Sequence, residues 1–310
     1  MPDGTAAIRP KRSKLLAVKP EAVKLRKPKI LIYGASGVGK TYFALDFPDV
    51  YMIDVEGGAT QPEYVEKLRA SGGLYLGPDD GASSFDVVMG QIKALATESH
   101  DRKTLVIDSA TKLFANEIAR EAERLSDAGK KNEFGADRKP AVNYMRHMVN
   151  WLVRLDMNVI LICGEIAEWG KGANGEREQI GTIFDCWPRL EYELDLAVQV
   201  LKAGPRRIGR VRKTRIAAFP EASTFEFSYD TFARMYGIAV IREPSQPVNL
   251  ITPEQRAEIS HLLDIVKLED GTVDKWLAAA NVASWDEMES HRADKAIAYL
   301  RNRIAAIENV

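Results

Sequence analysis

The eight residues Gly34-Ala35-Ser36-Gly37-Val38-Gly39-Lys40-Thr41 constrain this chain more than any other stretch. They read G-x-x-x-x-G-K-T. The apolar run Lys29-Ile30-Leu31-Ile32-Tyr33 before them reads as a buried strand, and Tyr42-Phe43-Ala44-Leu45 after them continues as a helix. Strand, glycine loop and helix start, in that order, form a phosphate-binding P-loop. The glycines let successive backbone N–H groups turn inward toward phosphate oxygens, and the helix start adds partial positive charge. The expected nucleotide cradle is therefore Gly34, Ala35, Ser36, Gly37, Val38, Gly39, Lys40, Thr41 and Tyr42. Lys40 is expected at the β- and γ-phosphates, and the Thr41 hydroxyl at Mg²⁺. ATP and Mg²⁺ are the expected cofactors.

The rest of the core is read from apolar periodicity. Strands are expected at Ile30–Tyr33, Val50–Asp54, Leu74–Leu76, Thr104–Asp108 and Val159–Cys163. Helices are expected between them, at Glu63–Ala70, Ser84–Ala96, Lys112–Leu125 and Ala141–Leu155. That alternation implies an α/β fold with a mainly parallel sheet flanked by helices. After residue 190, Asp195–Leu201, Ile208–Ala218 and Thr224–Ser228 read as strands of an antiparallel β extension. The organisation expected is a basic arm at 1–27, an ATPase core at 28–241, a linker at 242–250 and a small C-terminal helical module at 251–310. No apolar run reaches the length of a membrane span and no signal-peptide core is visible. With only Cys163 and Cys186 present, a disulfide framework is excluded. The expected location is the cytoplasm, that of a bacterial host if the chain is phage-encoded, with no membrane partner.

Charge is uneven. Residues 1–29 hold nine Lys/Arg against two acids, and residues 202–218 hold seven with no acid. The two islands fit an anionic partner; they also fit a solvated tail and a solvated hairpin.

Leu105-Val106-Ile107-Asp108-Ser109 supplies a Walker B element, with Asp108 orienting Mg²⁺. AAA+ machines usually carry a catalytic Glu in the next position; here it is Ser109. The base is expected instead at Glu56, just past the second strand in Tyr51-Met52-Ile53-Asp54-Val55-Glu56, on the P-loop edge of the sheet. The other reading gives Glu56 only the turn at Gly57-Gly58.

This set resembles the RecA-type ATPases. The resemblance extends to Val159-Ile160-Leu161-Ile162-Cys163-Gly164-Glu165, which occupies the place of the γ-phosphate-sensing strand. Here Glu165 replaces the family's Gln. It also extends to Val211-Arg212-Lys213-Thr214-Arg215, similar to the hairpin whose two cations reach a neighbour's ATP. Lys213 and Arg215, on one strand face, are then trans-acting catalytic cations. Order and size resemble most the phage-encoded, core-only RecA-like ATPases that act as single-strand annealing recombinases. The resemblance implies a DNA-stimulated ATPase, assembly of the chain with itself into a ring or filament, and single-stranded DNA bound by two loops. One loop is Ser126–Pro140, with Lys130, Lys131, Arg138, Lys139 and Phe134. The other is Ile166–Asp185, with Trp169, Lys171 and Arg177 among four glycines. Both also read as ordinary surface loops. The C-terminal module is similar to tails of phage recombination proteins that dock a partner such as a single-strand-binding protein; a stabilising bundle is the plainer reading. Alternatives to the recombinase are a RecA-type helicase or helicase loader, and a nucleotide-switched docking protein with slow hydrolysis. A small-molecule kinase leaves Glu56 and Lys213-x-Arg215 unexplained.

Overall fold

The computed structural model describes residues 25–133, 135–172 and 175–308. The basic arm, over residues 1–24, and Phe134 lie outside them. The chain begins with β1 (Lys29–Tyr33), the P-loop and a short α1 (Lys40–Ala44). It continues through β2 (Val50–Asp54), α2 (Pro62–Ala70), β3 (Leu74–Leu76), α3 (Phe85–Thr97), β4 (Thr104–Asp108), α4 (Ala110–Asp127), α5 (Arg138–Arg154) and β5 (Asn158–Cys163). A hairpin of β6 (Glu165–Lys171) and β7 (Arg177–Phe184) stands apart from the main sheet. Then come α6 (Leu190–Glu193), β8 (Leu196–Ala203), β9 (Arg206–Thr214), β10 (Thr224–Glu226), α7 (Tyr229–Tyr236) and α8 (Ile238–Arg242). The chain closes with α9 (Pro253–Ile265), α10 (Thr272–Ala280) and α11 (Ser290–Glu308).

Eight strands form one sheet in the order β10-β9-β8-β1-β5-β4-β2-β3. Pairing is parallel from β8 across to β3, and β9 and β10 add antiparallel strands at the far edge. The fold class is therefore α/β with a mostly parallel sheet, antiparallel edge strands and a C-terminal helical region. The central strands are buried on both faces, as continuous Val/Ile/Leu runs dictate. In β5 the period of two sends Val159 and Leu161 into the core under α3–α5, and Ile160 and Ile162 into the opposite core beside α1 and α7. Each such side chain stabilises the fold by about 1.5–3 kcal/mol on burial.

The C-terminal helices enclose a core of their own, including Ile259, Leu262, Trp285 and Leu300. Thr252 and Gln255 close a capping box at the start of α9, with Pro253 at its first position. The stretch read as a linker is fastened to the sheet domain. The Ser245 hydroxyl donates to Arg102 O (2.6 Å), Gln246 N–H to Asp156 Oδ2 (3.0 Å) and Val248 N–H to Ala96 O (2.7 Å). Val248 and Leu250 pack against the main core, which is why a Pro-rich run with two apolar residues does not hang free.

Three local expectations are corrected. The glycine-rich stretch after β5 is the β6–β7 hairpin, because residues on either side of its turn pair as a ladder from Glu165↔Phe184 to Lys171↔Arg177. The connection after α4 spans only residues 128–137, so Arg138 and Lys139 are the first residues of α5. Finally, β9 stops at Thr214, whose hydroxyl turns back to bond Ile216 N–H (2.8 Å) and Ile216 O (3.0 Å). The extended run expected to Ala218 is a turn. Among the described residues no helix is long and apolar enough to cross a membrane.

Candidate active site

The register of the parallel strands builds the site. Asp54 at the end of β2 lies beside Asp108 at the end of β4, Asp108 beside Ile162 of β5, and Cys163 beside Tyr33 of β1. The segments that continue past these ends converge at the carboxyl edge of the sheet, where α/β proteins bind ligands. A cavity of about 430 Å³ opens there. Gly34, Ala35, Ser36, Gly37, Gly39, Lys40 and Thr41 line one side. Asp54, Glu56, Asp108, Ser109 and Glu165 line the other.

Glycine is required at Gly34, where φ is +152° and an added Cβ would sit 2.6 Å from Val200 O. Gly39, at φ +92°, starts α1 from a left-handed conformation. Two expected cradle residues stand outside the lining. Val38 turns its side chain into the core. Tyr42 is 53% exposed and carries the Lys67 ammonium over its ring at 3.6 Å.

Lys40 Nζ donates to Gly34 O (2.7 Å) and Ala35 O (2.9 Å), so the P-loop carbonyls hold it at the cavity wall. Burial lowers its pKa, opposed by Asp108. The Thr41 hydroxyl donates to Asp108 Oδ2 at 2.5 Å. Burial pushes the Asp108 carboxyl up to about 6, against the Thr41 bond that favours the anion. A hydroxyl and a carboxylate side by side form the hard-oxygen donor set that Mg²⁺ takes alongside phosphate oxygens. Thr41 and Asp108 are the residues that fit it.

Glu56 accepts a hydrogen bond from the Ser109 hydroxyl, so the residue after Walker B holds a glutamate rather than being one. Ser109 also caps α4 by accepting from Lys112 N–H (3.1 Å). The turn bearing Glu56 is fixed by Asp54, a residue that sequence reasoning did not single out. Its buried carboxylate accepts from Glu56 N–H (3.2 Å), Gly57 N–H (2.8 Å), Ala59 N–H (2.8 Å) and Tyr75 OH (3.0 Å). The signal was present: β2 ends in Asp after an apolar run, as β4 does.

Glu165 faces the cavity from the first residue of β6, and its Oε2 accepts from Thr182 Oγ1 (2.8 Å). Thr182 in turn accepts from Gln199 Nε2 of β8 (2.8 Å). The base of the hairpin thus reaches the cavity through side chains. Nothing in the sequence marked Thr182 or Gln199, because both depend on strands that meet only in three dimensions.

Lys213 and Arg215 do not line this chain's own cavity. Lys213 Nζ donates to Leu194 O, and the Arg215 guanidinium to Tyr192 O and to Glu193 O (3.4 Å), so both cations hold carbonyls at the end of α6. Arg215 lies one residue beyond β9, which corrects its placement on the strand face of Lys213. Burial lowers the Lys213 pKa, with Arg215 adding to the effect. Lys130 and Lys131 are exposed between α4 and α5, and Arg138 and Lys139 on the first turn of α5. Trp169 and Lys171 of β6 and Arg177 of β7 lie together on the outer hairpin, where the Arg177 guanidinium stands 5.4 Å from the Trp169 ring centre.

Residues 26–215 match the model of a family described as an AAA domain (AAA_24). The chain belongs to this AAA domain family. Its P-loop and paired Thr41–Asp108 are those of a P-loop NTPase, a nucleotide-binding domain with a place for Mg²⁺. A search of curated proteins returned no match. Among solved structures the AAA domain chain is similar to one titled "Crystal structure of the RadB recombinase", at 18% identity and a TM-score of 0.37, covering 66% of this chain and 89% of that one.

Proposed function

We propose that this chain is an ATP-hydrolysing, single-stranded-DNA-binding recombinase or annealing ATPase of RecA type that works as an assembly of copies. One observation carries the reading: Glu165, at the nucleotide cavity, is hydrogen-bonded within the hairpin that presents Trp169, Lys171 and Arg177. One hairpin joins the nucleotide cavity to a surface with a stacking ring and cations, which suits single strands.

In this reading Glu56 accepts the proton of the attacking water, and the Ser109 hydroxyl holds that carboxylate in place. Lys40, with Mg²⁺ held by Thr41 and Asp108, balances the charge of the phosphates. Lys213 and Arg215 of an adjacent copy act on developing charge, exchanging the α6 carbonyls for phosphate oxygens. The test measures ATP hydrolysis by wild type and Lys213→Ala, with and without single-stranded DNA, across protein concentration. Stimulation by DNA that is cooperative in protein and lost in the variant supports the proposal. A slow rate indifferent to both leaves a nucleotide-switched docking protein. Strand separation by a stable hexamer would favour a helicase.

A further inference from the structure

The C-terminal module carries a second cavity, of about 320 Å³, that shares no lining residue with the P-loop cavity. Its walls are three aromatic rings. Trp276 of α10 meets Trp285 at 6.3 Å and 79°, and Tyr299 of α11 at 5.4 Å and 84°. The small side chains Ala280 and Ala296 leave the space between the rings open, and Met288 supplies a deformable base. Two cations stand at the mouth, Arg292 and Lys295, and no carboxylate lines the cavity. Among the described residues the Arg292 side chain hydrogen-bonds to the Ala279 carbonyl (3.3 Å), and it also borders a neighbouring cavity that Glu243 and Glu289 line. Lys295 is exposed and has no hydrogen-bond or ion-pair partner among the described residues.

We propose that this cavity docks an acidic peptide segment of a partner protein, seating one large apolar side chain among the rings while its carboxylates pair with Arg292 and Lys295. Size, shape and charge select this occupant. The volume suits one large side chain, at the small end of ligand cavities. Rings set nearly at right angles form walls around a single group, whereas successive bases need open ring faces to stack upon. Cations without acids call for an anionic partner. The chain's own N-terminal arm, with nine Lys/Arg against two acids over residues 1–29, has the wrong sign. Trp, Tyr and Arg are also the side chains on which binding energy concentrates at protein interfaces.

The test uses the full chain and the synthetic peptide acetyl-Asp-Asp-Gly-Asp-Leu-Phe, read by tryptophan fluorescence and calorimetry. Saturable micromolar binding is expected, weakened about tenfold or more by replacing the peptide's Phe with Ala. Lys295→Glu and Tyr299→Ala are each expected to weaken it about tenfold, with thermal unfolding and ATP hydrolysis unchanged. Both side chains are exposed enough to be changed without unfolding the module. No binding by wild type up to about 1 mM peptide overturns the proposal. So does binding indifferent to both substitutions. Loss of oligonucleotide binding in Lys295→Glu, with peptide binding intact, reassigns the cavity to nucleic acid.

Discussion

Lys29 places an ammonium inside the protein, where its Nζ donates to Leu155 O (2.7 Å) and Met157 O (2.5 Å). Burial drops its pKa from 10.5 to about 7, with Asp195 and Asp156 opposing. The unfolded chain therefore holds this proton up to about 10.5, but the native chain only to about 7. Between those values the unfolded state binds more protons, so stability rises with pH. The slope is at most about 1.4 kcal/mol per pH unit. Urea denaturation at neutral and alkaline pH should show that rise in wild type and a flatter profile in Lys29→Met. Equal slopes would remove Lys29 as the cause. At the cavity, Glu56→Gln keeps the size of the side chain but removes the proton acceptor. It should lower kcat about 10²- to 10⁴-fold while nucleotide binding persists. Single-turnover hydrolysis beside a nucleotide-binding titration separates the two.

Among the elements, the hairpin joins the two halves of the proposed function, and it was the least legible in the sequence. Gly170, Gly172, Gly175 and Gly181 made the stretch look like open loop, although Gly170 and Gly181 sit within paired strands. Among the described residues its two strands pair only with each other, so no third strand's apolar pattern marked them. The buried strands were plain for the opposite reason. Val50–Asp54, Leu74–Leu76 and Thr104–Asp108 have the bounds that their apolar runs imply. The short helices α6, α7 and α8 were hidden, each being shorter than the roughly 11-residue window over which helical periodicity is read. Of the site, P-loop, Asp108 and Glu56 were readable because motif spacing places them; Asp54 carried a signal that was not used, and the Ser109 contact with Glu56, Thr182 and Gln199 needed the three-dimensional register. Thr182→Val cuts the link between Glu165 and Gln199 without emptying space. It should leave basal hydrolysis within about twofold but lower stimulation by single-stranded DNA, as ATPase titrations with an oligonucleotide would show. Unaltered stimulation would disconnect the hairpin from the cavity. Gly34→Ala should destabilise the fold by about 1–3 kcal/mol, seen in denaturant midpoints, because its Cβ meets the Val200 carbonyl at a strained φ.

Across the whole molecule, the C-terminal module rests on the sheet domain through polar contacts centred on Glu287. Its carboxylate takes Lys93 (2.9 Å), His147 (3.3 Å) and Ala283 N–H (3.0 Å), while Arg154 donates to the Glu287 carbonyl (2.8 Å) and forms an ion pair with Glu289 (3.2 Å). Burial works against the Glu287 anion, yet the Ala283 N–H and Lys93 hold its carboxyl below the usual range. Glu287→Ala should loosen this seat by about 1–3 kcal/mol and quicken proteolysis within residues 243–250, with the P-loop cavity intact. Cleavage at the wild-type rate would mean that the stitches of residues 245–248 suffice. The sheet order has another effect, felt while the chain is being made. The nucleotide-binding strand β1 emerges first but lies between β5 and β8, whose pairing residues begin at Val159 and Leu196. Until the ribosome has released residues up to β8, the P-loop hangs from a strand with at most one neighbour. Capture of a nucleotide thus reports synthesis through Glu165, the last residue to line the cavity, and a stop before it leaves a motif that is complete in sequence beside an incomplete cavity.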